Sequence, residues 1–117
     1  PTLYLHAAAV SAPDAADADF ASVPSVEGRL DLGAVLALLA ERGINEVHTE
    51  AGATLAGALL RGGWVDELLL YQAPTLLGDS GRPLLAGLGI EAMDQQRRLR
   101  VVDRRQVGDD LRLLLRA

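Results

Sequence analysis

Residues 44–63, INEVHTEAGATLAGALLRGG, constrain the fold more than any other stretch. They read as strand, tight turn and helix. Ile44, Val47 and the residues up to Glu50 suit a short buried strand. Ala51-Gly52-Ala53-Thr54 turns the chain, Leu55, Leu59 and Leu60 set an apolar stripe on the helix that follows, and Gly62-Gly63 ends it. A strand-to-helix turn with glycine gathers free backbone N–H groups and the positive end of the helix dipole at one point, which suits an anion. Glu50 stands just before it, at the C-terminal end of the expected strand, where open α/β sheets place their ligand crevice.

The flanking segments supply the partners such a unit needs. TLYLHAAA at residues 2–9 reads as a buried strand with Leu3 and Leu5 on one side and Tyr4 and His6 on the other. A lone His on such a strand is a ligand, a base or, most commonly, a hydrogen-bonded core residue. SAPDAADADFAS at 11–22 is small and acidic and reads as a solvated loop. Asp14, Asp17 and Asp19 lack the spacing and the closing Glu of a calcium loop. Val23 to Glu27 suits a short strand, kept at an edge or near its start by Pro24. Asp31 is a good N-cap for a helix with Leu32, Val35, Leu36 and Leu39 on one face; Arg42 lies in its last turn and Gly43 at C′.

Beyond residue 63, Asp66 to Tyr71 is apolar on both faces in its second half, which predicts an interior strand covered on both sides. Asp66 and Glu67 suit a solvated strand entrance better than a catalytic carboxylate pair. PTLLGDSGRP at 74–83 is a long connection, with a turn signal at Asp79-Ser80-Gly81, and 84–92 has no clean period. The Arg-rich stretch 97–105 alternates with Leu99, Val101 and Val102, and Val107-Gly108-Asp109-Asp110 turns the chain into Leu111–Leu115. This predicts an antiparallel hairpin. Its arginines form a local basic patch, able to hold a phosphate but more commonly a solvated, edge-protecting face. Helix, strand, helix and strand in this order argue for a parallel α/β sheet.

Composition removes several function classes. The 117 residues suit one domain, and half of them are apolar, enough for a core. The net charge of −5 argues against a nucleic-acid-binding face. There is no Cys, so disulfides, thiolate nucleophiles and cysteine zinc sites are excluded. All 11 basic residues are Arg, which excludes Schiff-base chemistry and a P-loop lysine. No apolar run approaches the ~20 residues of a membrane span. The first ten residues carry no positive n-region, so no signal peptide is expected and the cytoplasm is the default.

Three segments together resemble a known family. They are Glu50-Ala51-Gly52 with Thr54-Leu55-Ala56; Val65-Asp66-Glu67-Leu68 continuing to Tyr71, Ala73-Pro74 and Leu76-Leu77-Gly78; and Val107-Gly108-Asp109-Asp110-Leu111. In order, spacing and residue type, from about Leu32 to the end, the chain resembles the C-terminal reductase domain of the bifunctional riboflavin biosynthesis protein RibD, the pyrimidine deaminase/reductase. The acidic residue before the glycine turn and the DEL…AP…LLG run separate it from ordinary dihydrofolate reductases, whose turn is usually Gly-Gly after an apolar strand. Ala51 and Ala53 stand where the family usually has a glycine and a proline. Ala51 matches a common variant, and Ala53 gives up a fixed φ at the helix start, a small effect. The family's early strands, with the lysine that helps hold substrate, have no counterpart here, nor has its zinc deaminase domain. The resemblance therefore makes residues 1–117 the C-terminal portion of a RibD-type reductase domain.

The resemblance implies an α/β, dihydrofolate-reductase-like fold, here a partial domain: a mixed, mainly parallel sheet with helices on both faces and a C-terminal antiparallel hairpin. It implies NADPH-dependent reduction of 5-amino-6-(5-phosphoribosylamino)uracil to the ribitylamino product. Gly52, Ala53 and Thr54 would offer backbone or hydroxyl groups to the cofactor pyrophosphate. Glu50 would be both catalytic and substrate-binding, facing the ribose or its opening ring. The plainer readings are a hydrogen-bonded buried carboxylate for Glu50 and an ordinary turn residue for Gly52. Two other functions stay open, a non-catalytic assembly or dimerisation module and a pterin-type reductase relative. With the early strands missing, the apolar Leu68–Tyr71 strand leads us to expect a homodimer, and an isolated chain without turnover. The small-molecule substrate is the expected partner, with no nucleic acid, membrane or metal.

Overall fold

The computed structural model describes residues 2–12, 14 and 17–117. The chain divides into two units, Pro1–His48 and Thr49–Ala117.

In the first unit, β1 (Thr2–Ala7) and β2 (Ala18–Val23) pair in parallel, Thr2 opposite Ala18 and Ala7 opposite Val23. Tyr4 and Phe20 face each other in this register, and their rings stack with centroids 5.4 Å apart. β1 lies where the alternation predicts it. β2 corrects the reading of 11–22 as a loop: its small residues hide the strand pattern, but Phe20 and the nearly fully buried Val23 anchor it. The expectation for Pro13, Ala15 and Ala16 lies outside the described residues. A two-residue ladder, β3 (Ser25–Val26) with β4 (Arg29–Leu30), follows. Its connection, Glu27-Gly28, has positive φ at both residues (51° and 75°), the requirement of a type I′ turn.

Helix α1 (Leu32–Glu41) begins as predicted at Asp31, whose Oδ1 accepts from the N–H groups of Gly33 (2.9 Å) and Ala34 (3.2 Å). It ends through Arg42 at the C-cap and Gly43 at φ 79°. Residues 44–50 are not a strand, which corrects the sequence reading. Among the described residues no strand pairs with them, and Ile44 and Val47 remain 41% and 48% exposed. Their apolar positions are three apart, so they do not define one face of a strand.

The second unit opens with α2 (Ala53–Gly62), closed by Gly63 in the left-handed region (φ 73°). Its inward face is set by Gly57 and Leu60, both buried; Leu55, expected on the apolar stripe, is exposed. β5 (Glu67–Gln72), β6 (Arg100–Val107) and β7 (Asp110–Arg116) form an antiparallel sheet in the order β5-β7-β6. The C-terminal hairpin is therefore present, with a two-residue loop whose first residue, Gly108, has φ 60°. β5 is an edge strand among the described residues, not an interior one. Leu68 and Leu70 are half-buried, while Leu69 and Tyr71 on the other face are exposed. Parallel pairing is confined to β1 and β2 among the described strands, so the fold is mixed α/β rather than one mainly parallel sheet.

The β6–β7 register slips between Val101 and Asp103, making Val102 a bulge residue and breaking the alternation read from the sequence. The bulge also has an electrostatic setting. Arg105 and Arg112 sit opposite each other, a repulsive pair, and the Asp103 carboxylate accepts from both, at 2.8 Å and 2.6 Å. Across β5 and β7, Arg116 pairs with Glu67 opposite it at 2.7 Å.

Candidate functional site

The turn at the head of α2 brings Glu50, Gly52, Ala53 and Thr54 together. Gly52 is the N-cap, with φ −69° and ψ 167°, extended backbone that any residue adopts. A Cβ built on it would meet nothing within 4 Å. Neither conformation nor contact with a described residue requires glycine here. What the missing side chain does provide is open access to the start of the helix.

Gly52 contributes no capping side chain, and the first turn of α2 carries no acidic residue. The leading N–H groups of a helix have no intrahelical acceptor, and the dipole adds partial positive charge there. Thr54 is exposed and adds a hydroxyl; Ala53 is half-buried. This donor set fits a phosphate-bearing ligand approaching over Gly52. Glu50 is exposed, which removes the reading of it as a buried strand-end carboxylate, and it is engaged by a contact rather than free.

Residues that the sequence reading missed hold α2 in place. The Ala86 N–H donates to the Ala53 carbonyl at 3.0 Å. Arg61 Nη1 donates to the Gly87 carbonyl. Arg97 donates from Nη1 to the Leu60 carbonyl (2.7 Å), which also accepts from the Gly63 N–H, and from Nη2 to the Arg61 carbonyl (3.0 Å), at the helix end. The available signal was Gly57, an isolated glycine inside a helical pattern. Nothing in the spacing singles out Arg61 or Arg97.

His6 Nδ1 lies 3.0 Å from the Ala7 carbonyl, the hydrogen-bonded reading of that residue. Glu67 is tied to Arg116, and Asp66 is exposed at the strand entrance. The basic patch is partly occupied internally, Arg97 on helix carbonyls and Arg105 on Asp103. Among the described residues no group of three His, Cys, Asp or Glu is placed to hold a metal ion, and no helix is long and apolar enough to cross a membrane. A shallow cavity of about 260 Å³ lies at the far end of α2, lined by Leu60, Val65, Arg97, Arg98 and Leu99 among others, and does not include Glu50 or Gly52. We place the candidate site at the helix start, where the donor chemistry is, and not in this cavity, which sits at the negative end of the helix dipole.

The elements are those of a mixed α/β protein, with α2 started by a glycine that supplies no capping side chain. Comparison with known proteins gives the family. The family described as the RibD C-terminal domain matches residues 5–113. The chain belongs to this family. It is 42% identical over 93 residues to the riboflavin biosynthesis protein RibD of Escherichia coli, covering 80% of this chain and 25% of that protein. It is 33% identical over 87 residues to the 5-amino-6-(5-phosphoribosylamino)uracil reductase of Buchnera aphidicola, covering 74% of this chain and 42% of that one. Among solved structures it is similar to Acinetobacter baumannii RibD, with a TM-score of 0.70 and 35% identity, covering 85% of this chain and 26% of that one. The chain thus spans about a quarter of the length of these RibD proteins.

Proposed function

We propose that the chain is the C-terminal portion of a RibD-type reductase domain, and that this domain reduces 5-amino-6-(5-phosphoribosylamino)uracil to the ribitylamino product with NADPH, in the cytoplasm. One observation carries the reading: Glu50 stands two residues ahead of an open, glycine-started helix in a chain of this family. The name of the Buchnera relative supports the substrate. In the complete domain the strands take up the dihydrofolate-reductase-like arrangement that the resemblance implies.

NADPH, when bound, supplies a hydride to the sugar's anomeric carbon, and one proton completes the reduction. The residues of this chain supply orientation and charge. The N–H groups of Ala53 and Thr54, with the Thr54 hydroxyl, take the pyrophosphate against the positive helix end, and Gly52 leaves room for its approach. Glu50 accepts hydrogen bonds from the substrate ribose and is placed to hold or move a proton as the ring opens. The isolated 117-residue chain associates, as a homodimer, through the exposed face of edge strand β5, without turning over substrate. An assembly role without catalysis is the second reading, favoured by the exposed Leu69 and Tyr71 of edge strand β5.

The test is NADPH oxidation by the encoded full-length protein in the presence of the aminopyrimidine phosphate. Substrate-dependent oxidation is expected. NADPH consumption that does not respond to the substrate would remove the reductase reading and leave assembly.

A further inference from the structure

The segment 84–87 meets α2 through Ala86 and Gly87. A Cβ on Gly57 would overlap the Ala86 carbonyl oxygen and come within 2.9 Å of its carbon and 3.1 Å of the Ala86 nitrogen. Backbone meets backbone here, and neither side can yield as a flexible side chain would. The close approach brings the Ala86 N–H to the Ala53 carbonyl at 3.0 Å. Ala53 is the first residue of the helix, so this bond fixes the peptide that joins Ala53 to Thr54, whose N–H belongs to the proposed pyrophosphate cradle. One residue on, the Gly87 carbonyl accepts from Arg61, two turns further along the same helix. Two adjacent residues of the segment, Ala86 and Gly87, are therefore tied to α2 at two points, Ala53 and Arg61, with Gly57 between them.

We propose that residues 84–87 are a strap that sets the orientation of the Gly52–Thr54 turn, with Gly57 and Arg61 as its positioning residues. This rests on the reading of that turn as the cofactor site. Gly57 allows the strap to seat, and Arg61 clamps it at Gly87. The strap's own amide, at Ala86, locks the first peptide of the helix from the side. Neither positioning residue touches the cofactor; both act through the Ala86–Ala53 bond. A ligand site built from backbone N–H groups depends on where those groups point, and a displacement of about 1 Å at such a site has large consequences.

The experiment compares Gly57→Ala, Arg61→Met and Arg61→Lys in the isotopically labelled encoded protein, following backbone amide resonances and NADPH titrations. In Gly57→Ala the amides of Ala53, Thr54 and Ala86 are expected to shift and Ala86 to lose hydrogen-exchange protection, while the hairpin amides of β6 and β7 stay put. The NADPH dissociation constant is expected to rise by about tenfold or more. Arg61→Met, at an exposed position that leaves folding intact, should raise it by roughly threefold, and Arg61→Lys, which keeps a donor, should recover part of the loss. Unmoved turn amides in Gly57→Ala and Arg61→Met overturn the strap. If the wild-type protein does not bind NADPH, the cofactor reading fails, and the amide shifts decide the strap on their own. If the amides move and NADPH affinity does not, the strap holds the helix but does not set the site, and the proposal is overturned.

Discussion

Arg97 donates from Nη1 to the Leu60 carbonyl at 2.7 Å, across 37 residues of sequence, and so ties the chain before β6 to the end of α2. Its second bond, to the Arg61 carbonyl at 3.0 Å, makes the guanidinium a two-pronged cap at the negative pole of the helix. Arg97→Ala removes both bonds, leaving the Leu60 carbonyl to the Gly63 N–H and the Arg61 carbonyl to water. We expect a loss of about 1–2 kcal/mol in urea unfolding. Arg97→Lys should recover less than half, because an ammonium cannot span both acceptors in one plane. Equal stability of the Ala variant and the wild type would show that the cap contributes nothing.

Acid should weaken the C-terminal hairpin. Hydrogen bonding from Arg105 first, then from Arg112, together with their positive charges, holds the Asp103 carboxyl below its ordinary value of 3.8. A carboxyl with a depressed folded pKa stabilises the fold above its unfolded pKa, and that contribution is lost as pH falls through the folded value. The stability difference between wild type and Asp103→Asn should therefore be largest above pH ~5 and shrink below pH ~4. Thermal melts across that range check it; a difference that grows on acidification has the wrong sign for this linkage.

The free edge of β5 should associate. Leu69 and Tyr71 are 40% and 53% exposed on a strand that pairs with β7 on one side only among the described residues. Such an edge carries unpaired backbone groups beside apolar side chains. We expect the 117-residue chain to be dimeric at micromolar concentration in sedimentation equilibrium. Leu69→Lys with Tyr71→Lys should shift it to monomer. A monomeric wild type would remove the homodimer from the proposal.

The local features of this fold were legible. Asp31 marks the start of α1 because a cap is a contact within three residues, and Gly108 marks the hairpin because a two-residue loop needs positive φ at that point. Non-local features were not. Residues 44–50 read as a strand, but strand pairing depends on a neighbour the segment itself cannot specify. β2 was hidden in Ala and Asp, its register supplied by β1. The face of α2 was misjudged at Leu55 because residue 86, 29 positions after Gly57, decides what that helix packs against. The turn from Glu50 to Thr54 was read correctly as a helix start, but the contacts that position α2 come from Ala86 and Gly87, far along the chain.

Gly52→Val adds a branched side chain where the space is now open, on backbone that accepts it without strain. In the encoded protein the NADPH dissociation constant should rise at least about tenfold, against a shift of only a few degrees in Tm. Unchanged NADPH titrations would leave Gly52 as an ordinary turn residue.

The role of Glu50 is read from Glu50→Gln in the encoded full-length protein, which keeps the shape of the exposed side chain and removes its charge and its ability to take a proton. Turnover of the aminopyrimidine phosphate is expected to fall by at least about tenfold, or ~1.4 kcal/mol in the barrier, with urea unfolding and NADPH affinity unchanged. Turnover by the Gln variant at the wild-type rate would contradict that role and take Glu50 out of the site.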